Sequence, residues 1–168
     1  MAPFVILVVV TAVLAGVRAA GWLRVPAWPF AVQCGVAAMF VATGLAHFIG
    51  IREQLIAMVP PAVPAPGLVV TVTGVLELAG AVGVLWRRTA LWAAAGLTAM
   101  LVGMFPANVY AAMKGISPSF GDALLPRTLM QVVFLAATLS IVIHFARARR
   151  ATADTTPAAP LNTDHQPA

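Results

Sequence analysis

GLVVTVTGVLELAGAVGVLW, residues Gly67 to Trp86, is twenty residues long and contains a single charged side chain, Glu77. About 20 apolar residues in helical form cross a ~30 Å hydrocarbon core. The run has no strict alternation of apolar and polar positions, which a membrane-spanning strand would need over about ten residues. It therefore reads as a transmembrane helix. Glu77 falls about ten residues in, or about 15 Å deep at 1.5 Å per residue.

Outward from this stretch the same pattern repeats. Apolar runs are expected at Pro3–Trp22, Ala27–Gly50, Gly67–Trp86, Thr89–Ala112 and Leu124–Phe145. The 168-residue chain is 61% hydrophobic and 9% charged, with a mean hydropathy of +0.96. Soluble domains carry about 25% charged residues, so a soluble fold has too few charges to cover this apolar surface. The expected class is an all-α integral membrane protein, a four-helix transmembrane bundle plus one extra N-terminal transmembrane helix. Its first partner is the lipid bilayer.

The net charge of +5 does not point to nucleic acid, because the basic residues lie between the apolar runs, where they set topology. Arg18, Arg24, Arg87, Arg88, Arg147, Arg149 and Arg150 fall on one side. Arg52, Lys114 and Arg127 fall on the other. The expected orientation is N-terminus out and C-terminus in the cytoplasm. A cleaved signal peptide is the other reading of the first run. It lacks a basic n-region, and its arginines lie on its C-terminal flank. The expected organisation is then residues 1–26 as an extra span with a short cytoplasmic loop, 27–146 as the four-helix domain, and 147–168 as a basic, then disordered, cytoplasmic tail.

Two connections are longer than the rest. IREQLIAMVPPAVPAPG, from Ile51, carries Pro60, Pro61, Pro64 and Pro66, which forbid a continuous helix. Arg52–Met58 is expected to form a short interfacial turn. KGISPSFGDALLP, from Lys114, is the second. Both lie on the outer side, so a site is expected to open outward.

The polar residues within the spans are few and each needs a reason, because an unpaired ionisable group in a bilayer costs several kcal/mol. Thr73–Gly80 (TGVLELAG) and Thr43–Gly50 (TGLAHFIG) share the frame T-G-x-x-[ionisable]-x-x-G, with Glu77 in one and His47 in the other. Gly44, Gly50, Gly74 and Gly80 give each frame a small face on which helices pack closely. Runs two and three are antiparallel and joined by one loop, so these faces are expected to meet, with His47 about 9 Å shallower than Glu77. At its depth Glu77 is either protonated or paired. Asn108 follows Pro106, which frees backbone carbonyls in a helix. Arg127 and Gln131 are four apart on one face. His47, Asn108, Arg127 and Gln131 all fall in the outer third with Glu77 below them, so a polar pocket is expected there.

The blander readings stand beside this one. Gln33 and Gln131 serve as interhelical hydrogen-bonding groups, Arg127 as an interfacial anchor, Asn108 as a partner for kinked backbone. Other chemistries lack their residues. The lone Cys34 allows no intrachain disulfide. His144 lies a bilayer away from His47, so no bis-histidine haem site forms. His47 and Glu77 alone make no metal cluster, and no phosphate loop or Ser-His-Asp set is present.

The run HF-x-G-x-R-x-x-L-x-x-MVPP-x-x-P from His47, the frame TG-x-x-ELAGA-x-G-x-L from Thr73 and FPANVYAA from Phe105 together resemble the DoxX-like membrane proteins, over roughly His47 to Gln131. The resemblance implies a compact four-helix bundle in the bacterial inner membrane, with His47, Glu77, Pro106, Asn108 and Arg127 as motif residues. It also implies a quinone as ligand class and membrane or cytoplasmic redox proteins as partners. The expected function is an accessory or quinone-facing subunit of a membrane redox process. The alternatives are a non-catalytic scaffold that packs through its small-residue faces and, third, a small-molecule transporter. The first span departs from the family pattern, and the absence of a cysteine pair removes thiol chemistry by this chain alone.

Overall fold

The computed structural model describes residues 1–21, 28–116 and 123–154. They form α1 (Ala2–Ala19), α2 (Trp28–Ala46), α3 (Arg52–Met58), α4 (Pro66–Leu85), α5 (Ala90–Lys114) and α6 (Leu124–Asp154), with no strand among the described residues. All but α3, five in number, are long and apolar enough to cross a membrane. This is the helical architecture of a multi-pass membrane protein. Arg24 and residues 117–122, between α5 and α6, lie outside the described residues.

α2 packs against α4, α4 against α5, α5 against α6, and α6 back against α2, while α1 lies against α2. The core runs along the inside of this ring. Val36, Met39 and Phe40 of α2, Val84 of α4 and Ile141 of α6 are buried there with Leu97 and Leu101 of α5. The outward faces are apolar as well: Val75 and Val82 of α4 and Leu129 and Val132 of α6 are all more than half exposed. In water such faces would need cover, whereas lipid solvates them directly.

Glycines set the close approaches. A Cβ on Gly35 would run into Thr11 and the Leu7 carbonyl, so α1 seats on α2 there. A Cβ on Gly80 would stand 2.5 Å from Leu97, which brings α5 onto α4. The far end of the bundle carries exposed Trp28, Trp86 and Trp92 beside Arg87, Arg88 and Arg149. Arg149 lies 5.9 Å over the Trp92 ring and donates to the Arg88 carbonyl at 3.2 Å. Aromatic and basic residues together are the signature of a membrane–water interface.

Some elements differ from expectation. α2 stops at Ala46 rather than Gly50. The chain turns over residues 47–50, and Gly50 takes φ 85°, a left-handed value that glycine adopts without a Cβ clash. α6 runs on to Asp154, nine residues past Phe145, because no glycine or proline lies between Pro126 and Pro157 and arginine favours helix. The tail expected from Ala151 is thus helical for its first residues; residues 155–168 lie outside the described residues. The turn expected at Arg52–Met58 is a helix of 7 residues.

Candidate functional site

The two T-G frames interlock. A Cβ on Gly74 would stand 2.5 Å from the His47 Cβ and 2.9 Å from the Phe48 ring. A Cβ on Gly44 would stand 2.9 Å from Leu78 and 3.2 Å from the Glu77 Cβ. Each glycine therefore receives the side chains of the other frame. The remaining two glycines act differently. Gly80 packs on α5, and Gly50, expected to pack, has nothing within 4 Å of its Cβ position and instead ends the helix.

The interlock corrects the expected 9 Å offset in depth. The His47 Nδ1 and Glu77 Oε2 atoms are 3.9 Å apart, with both side chains about 5% exposed. Helical side chains lean toward the N-terminus of their own helix. α2 and α4 are antiparallel, so Glu77 leans back toward the start of α4 while His47, just past the end of α2, turns back toward Thr43, and the two side chains meet. The distance is too long for a hydrogen bond. His47 Nδ1 instead donates to the Thr43 carbonyl at 2.9 Å, since a carbonyl can only accept. Glu77 Oε2 is buried and has no hydrogen-bond partner among the described residues.

α5 and α6 supply a second polar group. Arg127 Nη1 donates to Asn108 Oδ1 at 3.1 Å. One turn along α6, Gln131 Nε2 donates to the Leu101 carbonyl at 2.6 Å. α5 continues unbroken through Pro106, although that proline offers no N–H to the Val102 carbonyl, next to the one Gln131 binds. Gln33, the other glutamine, donates to the Val84 carbonyl at 2.7 Å and ties α2 to α4 at the far end.

His47, Glu77, Asn108, Arg127 and Gln131 all line one cavity of about 490 Å³, within the roughly 300–1,000 Å³ usual for small-molecule sites. The rest of its wall is mainly apolar, with Phe40 and Phe134 and five methionines, Met1, Met39, Met58, Met104 and Met130. Thioether side chains are flexible and polarisable and adapt to irregular apolar ligands. α3 borders the cavity through Ile51, Gln54 and Leu55 nearby, and the first residues of α1 close another side.

Several contributors escaped the sequence reading. Arg52, read there as a charge and a motif position but not as a site residue, donates to the His47 carbonyl at 3.0 Å, to the Gly67 carbonyl at 3.3 Å and to Thr71 Oγ1 at 3.0 Å. It ties the end of α2 to the start of α4 and so holds His47 in place. The α1 residues Met1, Ala2, Pro3 and Ile6 were not expected at the site. Met104 and Met130 carried a faint signal, four residues before Asn108 and three after Arg127. Among the described residues no three His, Cys, Asp or Glu side chains stand together as a metal-ligand group. His144 is at the far end, edge-on to Trp28 and Phe145.

The fold and site define a class: a helical multi-pass membrane protein with a polar-tipped, methionine-lined cavity at one end. The chain belongs to a family described as a domain of unknown function (DUF8561), whose model matches residues 36–142. The match begins within α2 and ends within α6, so it takes in His47, Glu77, Asn108, Arg127 and Gln131 and leaves out α1. No curated protein and no solved structure matches the chain.

Proposed function

We propose that the cavity is an outward-facing binding site for a small amphipathic molecule, and that this protein is an accessory, quinone-facing subunit of a membrane redox process in the bacterial inner membrane. In this reading α2, α4, α5 and α6 are a four-helix bundle with α1 as an added span, the N-terminus outside and the C-terminus in the cytoplasm. Arg18, Arg24, Arg87, Arg88, Arg147, Arg149 and Arg150 then lie inside. The observation that carries the reading is the meeting of His47, Glu77, Asn108, Arg127 and Gln131 at one cavity, with a buried carboxyl oxygen that has no hydrogen-bond partner among the described residues. Such an atom in a low-dielectric interior is costly, and a ligand that pairs with it gains that interaction. The resemblance to the DoxX-like proteins in His47, Glu77, Asn108 and Arg127 supports the quinone class and redox partners.

The test is gentle purification of the tagged protein from its own membranes, with proteins and lipids identified by mass spectrometry. Retained quinone or stoichiometric oxidoreductase partners is the expected result, together with loss of the small molecule in Glu77→Gln. A folded Glu77→Gln protein with full ligand content would end the role given to Glu77.

One observation favours a second reading, a packing scaffold without a ligand. The reciprocal seating of Gly44 and Gly74 makes the T-G frames a helix-packing device. A scaffold requires Gly74→Leu to damage function more than Glu77→Gln does when both proteins are corrected for abundance, and requires the purified protein to carry bulk lipid alone.

A further inference from the structure

We infer that the group recognised at the His47–Glu77 corner is a hydroxyl, so that the ligand is a hydroxyl-headed amphipath of the phenol or hydroquinone type rather than a purely carbonyl-bearing one. The inference rests on the reading of the cavity as a small-molecule site and sharpens its chemistry.

The argument is a count of donors and acceptors. His47 Nδ1 is committed to the Thr43 carbonyl, so the ring has Nε2 left for another partner. Glu77 has Oε2 left, buried and unpartnered among the described residues. Both side chains line the cavity. A buried pair in hydrocarbon is stable only when its net charge is zero, and two arrangements meet that condition. In one the carboxyl keeps its proton: the acid is a donor and neutral Nε2 is an acceptor. In the other the imidazole carries the proton: Nε2–H is a donor and the carboxylate is an acceptor. With the proton on Oε2 or on the imidazole, Nε2 and Oε2 together show one donor and one acceptor to the cavity. A hydroxyl is both and satisfies the two atoms together. A quinone carbonyl or an ether only accepts, and leaves the corner's acceptor orphaned.

The opposite side of the cavity has a different inventory. Asn108 accepts from Arg127 through Oδ1, so its amide N–H groups are the atoms it has left. Gln131 donates one Nε2–H to Leu101, so Oε1 and its second N–H are what it has left. That side tolerates either a carbonyl or a hydroxyl, and the discrimination falls to His47 and Glu77. Methionine and phenylalanine between the two sides fit an apolar ring or chain.

The experiment measures binding of 4-hexylphenol, 4-hexylanisole and 2-hexyl-1,4-benzoquinone to the purified full-length protein by titration calorimetry, with protein-free micelles as the blank. The anisole differs from the phenol only in having the hydroxyl hydrogen replaced by methyl. The phenol is expected to bind about tenfold more tightly than the anisole or the quinone, the scale of one buried hydrogen bond. In Glu77→Leu that preference should fall to within about threefold while anisole binding persists. His47→Phe, which keeps a flat ring against Gly74, should do the same and serves if Glu77→Leu does not fold. Equal binding of phenol and anisole, or tighter binding of the quinone, overturns the hydroxyl assignment and leaves the cavity's function standing. No binding of any of the three overturns both. A preference that survives both substitutions removes the assignment from this corner.

Discussion

Gln33 and Gln131 make the same bond at opposite ends of the bundle. Each donates its amide N–H to a backbone carbonyl of a neighbouring helix, Gln33 to Val84 at 2.7 Å and Gln131 to Leu101 at 2.6 Å, and each is buried. Their surroundings differ. Val36 and Val84 beside Gln33 are fully buried, and Gln33 does not line the cavity. Gln131 does line it, and a carboxyl oxygen there has no hydrogen-bond partner among the described residues. A polar side chain inside a membrane bundle is thus not a site by itself. Interhelical amide bonds of this kind contribute about 1 kcal/mol as structure. What marks a site is hydrogen-bonding capacity left over next to space.

Substitutions can break or sharpen this contrast. The largest effect is expected at the seam that brings the cavity's acid and imidazole together. Gly74→Leu drives a side chain into His47 and Phe48 and should lower stability by ~3 kcal/mol, read as a fall in the thermal midpoint in detergent; an unchanged midpoint would mean that the two frames do not interlock. Next comes the cavity end proper. Glu77→Leu keeps a side chain of similar volume but has no donor or acceptor, so it should leave the midpoint nearly unchanged and weaken ligand retention by about tenfold. At the closed end the signs reverse. Gln33→Leu removes a bond with no ligand beside it and should cost about 1 kcal/mol of stability with ligand affinity unaltered. A drop in affinity there would show that the two ends are coupled. The smallest effect is expected at the interface belt, where Arg149→Ala loses the contact over Trp92 and should cost about 0.5 kcal/mol, measurable only as a slight shift of the midpoint.

The contrast also explains which parts of the site were legible beforehand. Depth along a helix follows from residue count at a fixed rise, so Asn108, Arg127 and Gln131 could be placed at one level from the sequence, and all three line the cavity. Small residues around an ionisable one announce a close helix approach, and Gly44 and Gly74 make it. Lateral relations have no such rule. The 3.9 Å separation of His47 and Glu77 depends on how side chains lean across a pair of antiparallel helices, so counting residues along each one gave too large an offset. Arg52 looked like a topology charge because its three acceptors, at His47, Gly67 and Thr71, are far apart in sequence. Gly50 matched the pattern of a packing glycine, yet it sits where the chain turns, and its positive φ follows from the path of the backbone rather than from any spacing.

A helical membrane protein with five apolar helices follows from run length and composition alone, because bilayer thickness and the need to satisfy every backbone polar group admit few solutions. The sequence also determined which polar residues are held at membrane depth, since any such group must be rationalised by a partner. The tertiary structure alone decided which of those groups are spent and which are left over. Gln33 and Gln131 look equivalent in the chain. Only the packing of the ring α2–α4–α5–α6, with α3 and the first residues of α1, puts Gln131 on the cavity together with a carboxyl oxygen that has no hydrogen-bond partner among the described residues. Hydrogen bonds are settled by distances of a few tenths of an ångström between helices, and those distances arise from how side chains fill the whole interior at once.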